Sequence, residues 1–156
     1  MSTVTCIEKN SSLNRDLAAL DVLRSVFAAL NQRNISYAVD QFADDFAFKD
    51  YALGLEFRDK GRLIEFFQKS YELFPDTAVE LLSTFECEAC AAAEWKLTAT
   101  QTEHYGSPSC RFPIVLRGST IAQIENRRVT HWSDYYDQLT SRRGRLGAFF
   151  EEWIEY

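Results

Sequence analysis

The feature that most constrains this chain is a single change in hydrophobic period at Pro75-Asp76, from a spacing of three and four residues to strict alternation. Before the break, Leu17, Leu20, Leu23, Val26, Phe27 and Leu30 predict an amphipathic helix over Leu13–Asn31, opened by the cap signals Asn14 and Asp16. A shorter helix fits Ser36–Phe42. A third fits Arg58–Phe74 through Leu63, Phe66, Phe67 and Tyr71, and Pro75 ends it. After the break, Val79, Leu81, Ser83, Phe85 and Cys87 alternate with Glu80, Leu82, Thr84, Glu86 and Glu88, a half-buried strand. Trp95, Leu97 and Ala99 alternate with Glu94, Lys96 and Thr98 within Ala93–Gln101. Phe112–Ile124 and Arg127–Tyr136 make two more strands, joined where Asn126 accepts a left-handed turn. Glu103–Ser109, with Gly106 and Pro108, reads as a loop. Leu146, Phe149, Phe150, Trp153 and Ile154 form one stripe of a last helix over Arg142–Tyr156. Helices first and long strands afterwards define an α+β plan in which helices cover one face of a curved antiparallel sheet.

No repeat or linker divides the sequence, so residues 1–12 read as a loose segment and residues 13–156 as one domain. A formal charge of −6 disfavours nucleic acid as a partner. No apolar run approaches the roughly 20 residues that span a bilayer, and Met1–Asn14 lacks a basic-then-apolar leader, so the expected location is the cytoplasm, away from any membrane. Aromatic residues make up 14% of the chain, enough to fill a core or to line a cavity for a hydrophobic small molecule. Outward strand positions at Leu82, Val115 and Ile121, with the stripe of the last helix, predict a homodimer. Cys87-Glu88-Ala89-Cys90 lies between two strand patterns and reads as a hairpin turn. The alternatives are redox chemistry, or a metal site that would need His104 and Cys110. No metal site and no cofactor are expected.

Two segments place a carboxylate on an aromatic face. In Phe46-Ala47-Phe48-Lys49-Asp50, an extended backbone points Phe46, Phe48 and Asp50 to one side. In Trp132-Ser133-Asp134-Tyr135-Tyr136, alternation aligns Trp132, Asp134 and Tyr136, and an aspartate in mid-strand calls for a reason. If those faces line a cavity, desolvation raises both carboxyl pKa values and suits them to acid and base work near neutrality. The structural alternative has Asp134 held by a buried Arg or by backbone donors, and Asp50 capping a turn over Tyr51–Gly54. His131 has the opposite parity from Asp134 and should face away. His104 reads as a loop residue, and Arg142, Arg143 and Arg145 as a solvated cluster. No phosphate-binding loop, dinucleotide fingerprint, nucleophile elbow or zinc-protease motif occurs.

Phe42–Asp50, Phe57-Arg58-Asp59-Lys60-Gly61-Arg62 and Ile124–Asp137 resemble the nuclear transport factor 2-like superfamily, in particular its SnoaL-like polyketide cyclases and limonene epoxide hydrolases. The likeness runs from about Leu13 to Leu139. It implies a cone-shaped curved sheet closed by the N-terminal helices around a hydrophobic pocket. In the epoxide hydrolases an Asp-Arg-Asp relay activates water. Its first acid falls on Asp134, but its Arg and second Asp fall on Trp95 and Leu97, and its water-holding Tyr and Asn on Phe48 and Asp50. The base of the ketosteroid isomerases falls on Asp50, whereas their oxyanion-binding Tyr and acid fall near Val26 and Thr120. Of the paired histidines of the scytalone dehydratases, only His104 has a candidate here.

SnoaL-like cyclases, which work with carboxylates in an apolar cavity, fit this inventory best. The reading is therefore a cofactor-independent cyclase or isomerase of secondary metabolism acting on a polyketide-, terpenoid- or steroid-like molecule. Asp134 is its main acid/base and Asp50 its partner. Tyr51 and Tyr136 are hydroxyl donors, and Phe27, Phe46, Phe48, Trp95, Leu97, Leu116 and Trp132 shape the cavity. Epoxide opening and a non-catalytic binding or dimerisation domain are the alternatives.

Overall fold

A computed structural model describes residues 19–101 and 112–137. The expected helix start near Asn14, Leu17, Cys6, the loop with His104, Cys110, the Arg142–Arg145 cluster and the last helix lie outside the described residues. Three helices come first, α1 (Ala19–Asn31), α2 (Ile35–Asp40) and, after two strands, α3 (Lys60–Leu73). In α1 the expected spacing buries Val22, Leu23, Val26 and Phe27 on one face. The side chain of Asn34 caps α2, and that of Asp59 caps α3 by accepting from the Arg62 N–H at 2.9 Å.

The strands are β1 (Phe42–Asp50), β2 (Leu55–Phe57), β3 (Ala78–Cys87), β4 (Cys90–Gln101), β5 (Phe112–Glu125) and β6 (Arg128–Tyr136). They form one curved, unclosed six-stranded sheet in the order β2-β1-β6-β5-β4-β3. Two of these strands go beyond the sequence reading. Residues 42–50, expected to be a helix end and a short extended segment, form a full strand, and it joins β6 in parallel. The sheet is therefore mixed, its remaining pairs antiparallel. Parallel pairing needs a long crossover, which here is everything from β2 to β5, and no local sequence pattern signals it.

Helix α1 covers the open edge. Asn31 makes a paired contact with Val79, donating to its carbonyl at 2.7 Å and accepting from its N–H at 2.8 Å, as a neighbouring strand would. Arg24 donates to the Thr84 hydroxyl at 3.0 Å further along β3. The two long hairpins are as expected. Cys87 and Cys90 are register partners across a tight turn, both exposed, and Asn126 and Arg127 take φ of 50° and 63° between β5 and β6.

A register shift between Leu81 and Ser83 corrects the reading of β3. The extra residue reverses the alternation, so Thr84 faces α1 and Phe85, expected inward, is 65% exposed. Among the described residues no helix is long and apolar enough to cross a membrane.

Candidate active site

The concave face of the sheet and the inner faces of α1 and α3 enclose a cavity of about 170 Å³. Its walls are almost wholly apolar. Val26 and Phe27 come from α1, Phe66 and Phe67 from α3, and Leu97, Ile114 and Leu116 from β4 and β5. Phe48 and Trp132 are register partners on β1 and β6, with rings stacked at 6.3 Å and 9°. Two residues further along the same pair of strands, Asp50 is in register with Asp134. Side chains two apart share a face, so parallel pairing sets both carboxylates side by side in the cavity wall next to the aromatic pair.

Each carboxylate is held by a different set of donors. Asp50, 5% exposed, accepts from the Leu53 N–H at 2.8 Å through Oδ1 and from the Tyr136 hydroxyl at 2.9 Å through Oδ2. The first bond is the turn cap foreseen as its structural role. The second ties Asp50 to the strand that carries Asp134. Asp134 receives the Thr120 hydroxyl and the Trp132 indole N–H, the latter at 2.9 Å, both at Oδ1. The Thr120 oxygen in turn accepts the Trp95 indole N–H at 2.9 Å, which leaves its proton for Asp134. Among the described residues no Arg and no backbone donor holds the Asp134 carboxyl. Its Oδ2 carries no hydrogen bond among the described residues.

Electrostatics separate the two acids. Burial pushes Asp134 up to about 7, helped by the Asp50 charge and opposed by its bonds from Thr120 and Trp132. Burial also pushes Asp50 up, to about 6, against the stabilising donors Leu53, Tyr136 and Ala52. Tyr136 is raised above its ordinary value by burial and then by Asp50, so its phenol keeps its proton. Near neutrality the arrangement therefore favours one proton on the pair, with burial and the Asp50 charge favouring Asp134 as its carrier. With Oδ1 already accepting two bonds, that proton belongs on Oδ2.

Of the residues expected to line the cavity, Phe27, Phe48, Trp95, Leu97, Leu116, Trp132 and Tyr136 do so, together with both acids. Two do not. Phe46 is fully buried against Phe42, with ring centroids 5.2 Å apart, because β1 is irregular between Phe42 and Ala47. Tyr51 is 53% exposed and stacks on Tyr135 at 4.7 Å on the outer face, one position past Asp50 and so of opposite parity. His131 is exposed, as its parity required.

Thr120 was legible only as the place where another family keeps an acid, and Gly118 was not singled out. An added Cβ at Gly118 would lie 2.6 Å from Trp95 Cζ2 and Cη2 and from the Tyr135 carbonyl oxygen. The absent side chain lets the Trp95 ring lie across β5 and reach Thr120. A glycine in mid-strand is the signal that would have found it.

A helix-backed, unclosed curved sheet with paired acids in an apolar cavity defines a small α+β domain of the nuclear transport factor 2 type. The SnoaL-like domain model matches residues 23–132, most of the chain, and the chain belongs to that family. Asp50 falls within the match; Asp134 lies two residues beyond it.

Solved structures share the fold at low identity. IdmH from Streptomyces antibioticus, provisionally named a polyketide cyclase, is 16% identical with a TM-score of 0.71 over 81% of this chain and 98% of that one. A provisionally named SnoaL-like polyketide cyclase from Shewanella putrefaciens is 15% identical, TM-score 0.70, over 80% and 83%. A hypothetical protein with a ketosteroid isomerase-like fold from Catenulispora acidiphila, in complex with trimethylamine, is 16% identical, TM-score 0.65, over 75% and 85%. No curated protein matches the chain.

Proposed function

We propose that this chain is an acid/base cyclase or isomerase that needs no cofactor and acts on a hydrophobic polyketide-, terpenoid- or steroid-like ketone. The observation that supports the reading is the register of Asp50 with Asp134, two carboxyls in one apolar cavity. Asp50, ionised, takes a proton from the carbon beside a substrate carbonyl. Asp134 donates its Oδ2 proton to the carbonyl oxygen, so the enol forms without free charge in a site that water does not stabilise. With a β,γ-unsaturated ketone, Asp50 returns its proton to the γ-carbon while Asp134 takes back the enol hydroxyl proton, which completes an isomerisation and restores both acids. Attack of the enol carbon on a second carbonyl completes a ring closure.

The positions of an epoxide-hydrolase relay carry Trp95 and Leu97, both apolar cavity walls, which argues against water activation. An engineered cavity of about 150 Å³ takes benzene. A volume of about 170 Å³ thus favours the compact end of the substrate class, with one or two rings enclosed.

The test is exchange of the α-hydrogens of 2-tetralone with heavy water, followed by proton magnetic resonance. Wild-type protein should accelerate exchange, and Asp50→Asn and Asp134→Asn should each slow it by about 100-fold or more. Exchange at the wild-type rate in both variants, or no acceleration by the wild type, would overturn the reading.

A second copy of the chain is the proposed partner of the outer sheet face. There Phe85, Ala92, Ile121 and Ser133 form one register row across β3 to β6, with Phe85 65% and Ile121 50% exposed.

A further inference from the structure

We infer that the end of the cavity remote from the two acids is a second binding point, which takes a neutral hydroxyl carried by the substrate. The inference rests on the proposed function, since it names a substrate feature for that site.

The remote end is built where α3 runs into β3. Ser70, Tyr71 and Thr77 line the cavity there and are half-buried. Thr77 immediately precedes β3, and β4 and β5 separate that strand from β6, which carries Asp134. Three strand spacings put the two ends roughly 14 Å apart along the sheet.

Every hydroxyl at this end has already placed its proton on a backbone carbonyl. Ser70 donates to the Phe66 carbonyl at 2.7 Å, Thr77 to that of Phe74 at 2.7 Å, and Tyr71 to that of Leu30 at 2.9 Å. A carbonyl oxygen only accepts, so the donor roles are fixed. What Ser70 and Thr77 present to the cavity is lone pairs. An apolar cavity with acceptors at this end is complementary to a hydrogen-bond donor.

Arg33 settles the charge of that donor and keeps the rim rigid. Its guanidinium lies 4.1 Å over the Tyr71 ring and donates to the carbonyls of Leu30 at 3.4 Å, Pro75 at 2.9 Å and Thr77 at 2.6 Å. The fixed positive charge disfavours an ammonium group, and with the hydroxyl protons and the Arg33 N–H groups given to carbonyls a carboxylate or phosphate meets acceptors in place of donors. A hydroxyl or phenol is the group that fits. The substrate then carries its reacting carbonyl at the Asp134 end and a free hydroxyl at the other.

Calorimetric titration with 6-hydroxy-2-tetralone and 6-methoxy-2-tetralone tests this, because methylation removes the donor, and 2-tetralone itself, which lacks the 6-oxygen, controls for the added methyl group. Wild-type protein should bind the hydroxy ketone about fivefold to tenfold more tightly. Ser70→Ala and Thr77→Val, checked for a wild-type melting transition, should each reduce that preference, and the two together should bring it near unity. Asp134→Asn should retain it.

Equal binding of the two ketones by wild type, binding of neither, a preference unchanged in the double variant, or one lost in Asp134→Asn would each overturn the proposal. The two readings separate cleanly. A preference that depends on Ser70 and Thr77 without catalysed exchange removes the acid/base function and leaves this subsite, whereas catalysed exchange without the preference does the reverse.

Discussion

Tyr136 gives its hydroxyl proton to Asp50 Oδ2 at 2.9 Å from a position two residues beyond Asp134 on the same strand. That bond ties Asp50 to the strand that carries Asp134. It favours the charged form of Asp50, while burial and the Asp50 charge favour the neutral form of Asp134. For the proposed reaction, kcat/KM should follow a bell whose limbs belong to the pair, falling as pH drops below about 6 and again as it rises above about 7. Exchange of 2-tetralone hydrogens measured from pH 4 to 9 checks this, and a flat profile would contradict it.

Both carboxyls titrate higher in the folded chain than the ordinary value of 3.8. The folded state therefore binds protons more tightly than the unfolded one, and stability falls as pH rises from about 4 to about 7. Above that window each buried charge is an unrelieved cost. Asp134→Asn should thus raise the melting temperature at pH 8 and leave it little changed at pH 4, a gain of 1 kcal/mol appearing as about 2–4 °C. Thermal denaturation at the two pH values decides it.

Thr120 is a positioning residue for Asp134 rather than a reactant. Thr120→Val removes a donor from Asp134 Oδ1 and strands the Trp95 indole N–H, at a cost of about 1–3 kcal/mol in stability. With less support for its charged form, Asp134 should titrate higher, moving the alkaline limb of the exchange profile upward. Thr120→Ser should restore the limb. A profile that stays in place in Thr120→Val would show that the bond does not tune the acid.

Gly118→Ala drives a methyl group into the Trp95 ring and the Tyr135 carbonyl, the latter being backbone that cannot swing aside. Destabilisation of about 1–3 kcal/mol is expected. The displaced indole should also weaken ketone binding, which urea denaturation and calorimetry would measure together.

On the outer face, Phe85→Lys with Ile121→Lys should convert a dimer to a monomer in light scattering while leaving the melting transition cooperative. A wild-type monomer at high concentration would remove the proposed partner.

Much of this architecture is written in side-chain periodicity. The change of period at Pro75, the Asn126 turn and the shared face of Trp132, Asp134 and Tyr136 are local facts, because φ/ψ preferences and burial act over a few residues. Even the structural role weighed for Asp50 appears, as its bond to the Leu53 N–H, alongside its place in the cavity.

Three things were decided elsewhere. Where β3 gains one residue at Leu81–Ser83, alternation misplaces the side chains beyond it, which is why Phe85 faces solvent, and in the irregular stretch of β1 Phe46 packs on Phe42 while Phe48 and Asp50 keep their expected face. Which strand neighbours which is set by long-range closure, and only the parallel pairing of β1 with β6 brings Asp50 level with Asp134. The proton's position depends on donors from β5, β6 and the turn after β1 and on the depth of the cavity, since desolvation and hydrogen bonding are properties of a three-dimensional surrounding. The sequence by itself determined the local alternation that turns Phe48, Trp132 and two acids inward. The tertiary structure alone made those acids neighbours and gave them unequal hydrogen-bond partners, because register and burial depend on the whole sheet.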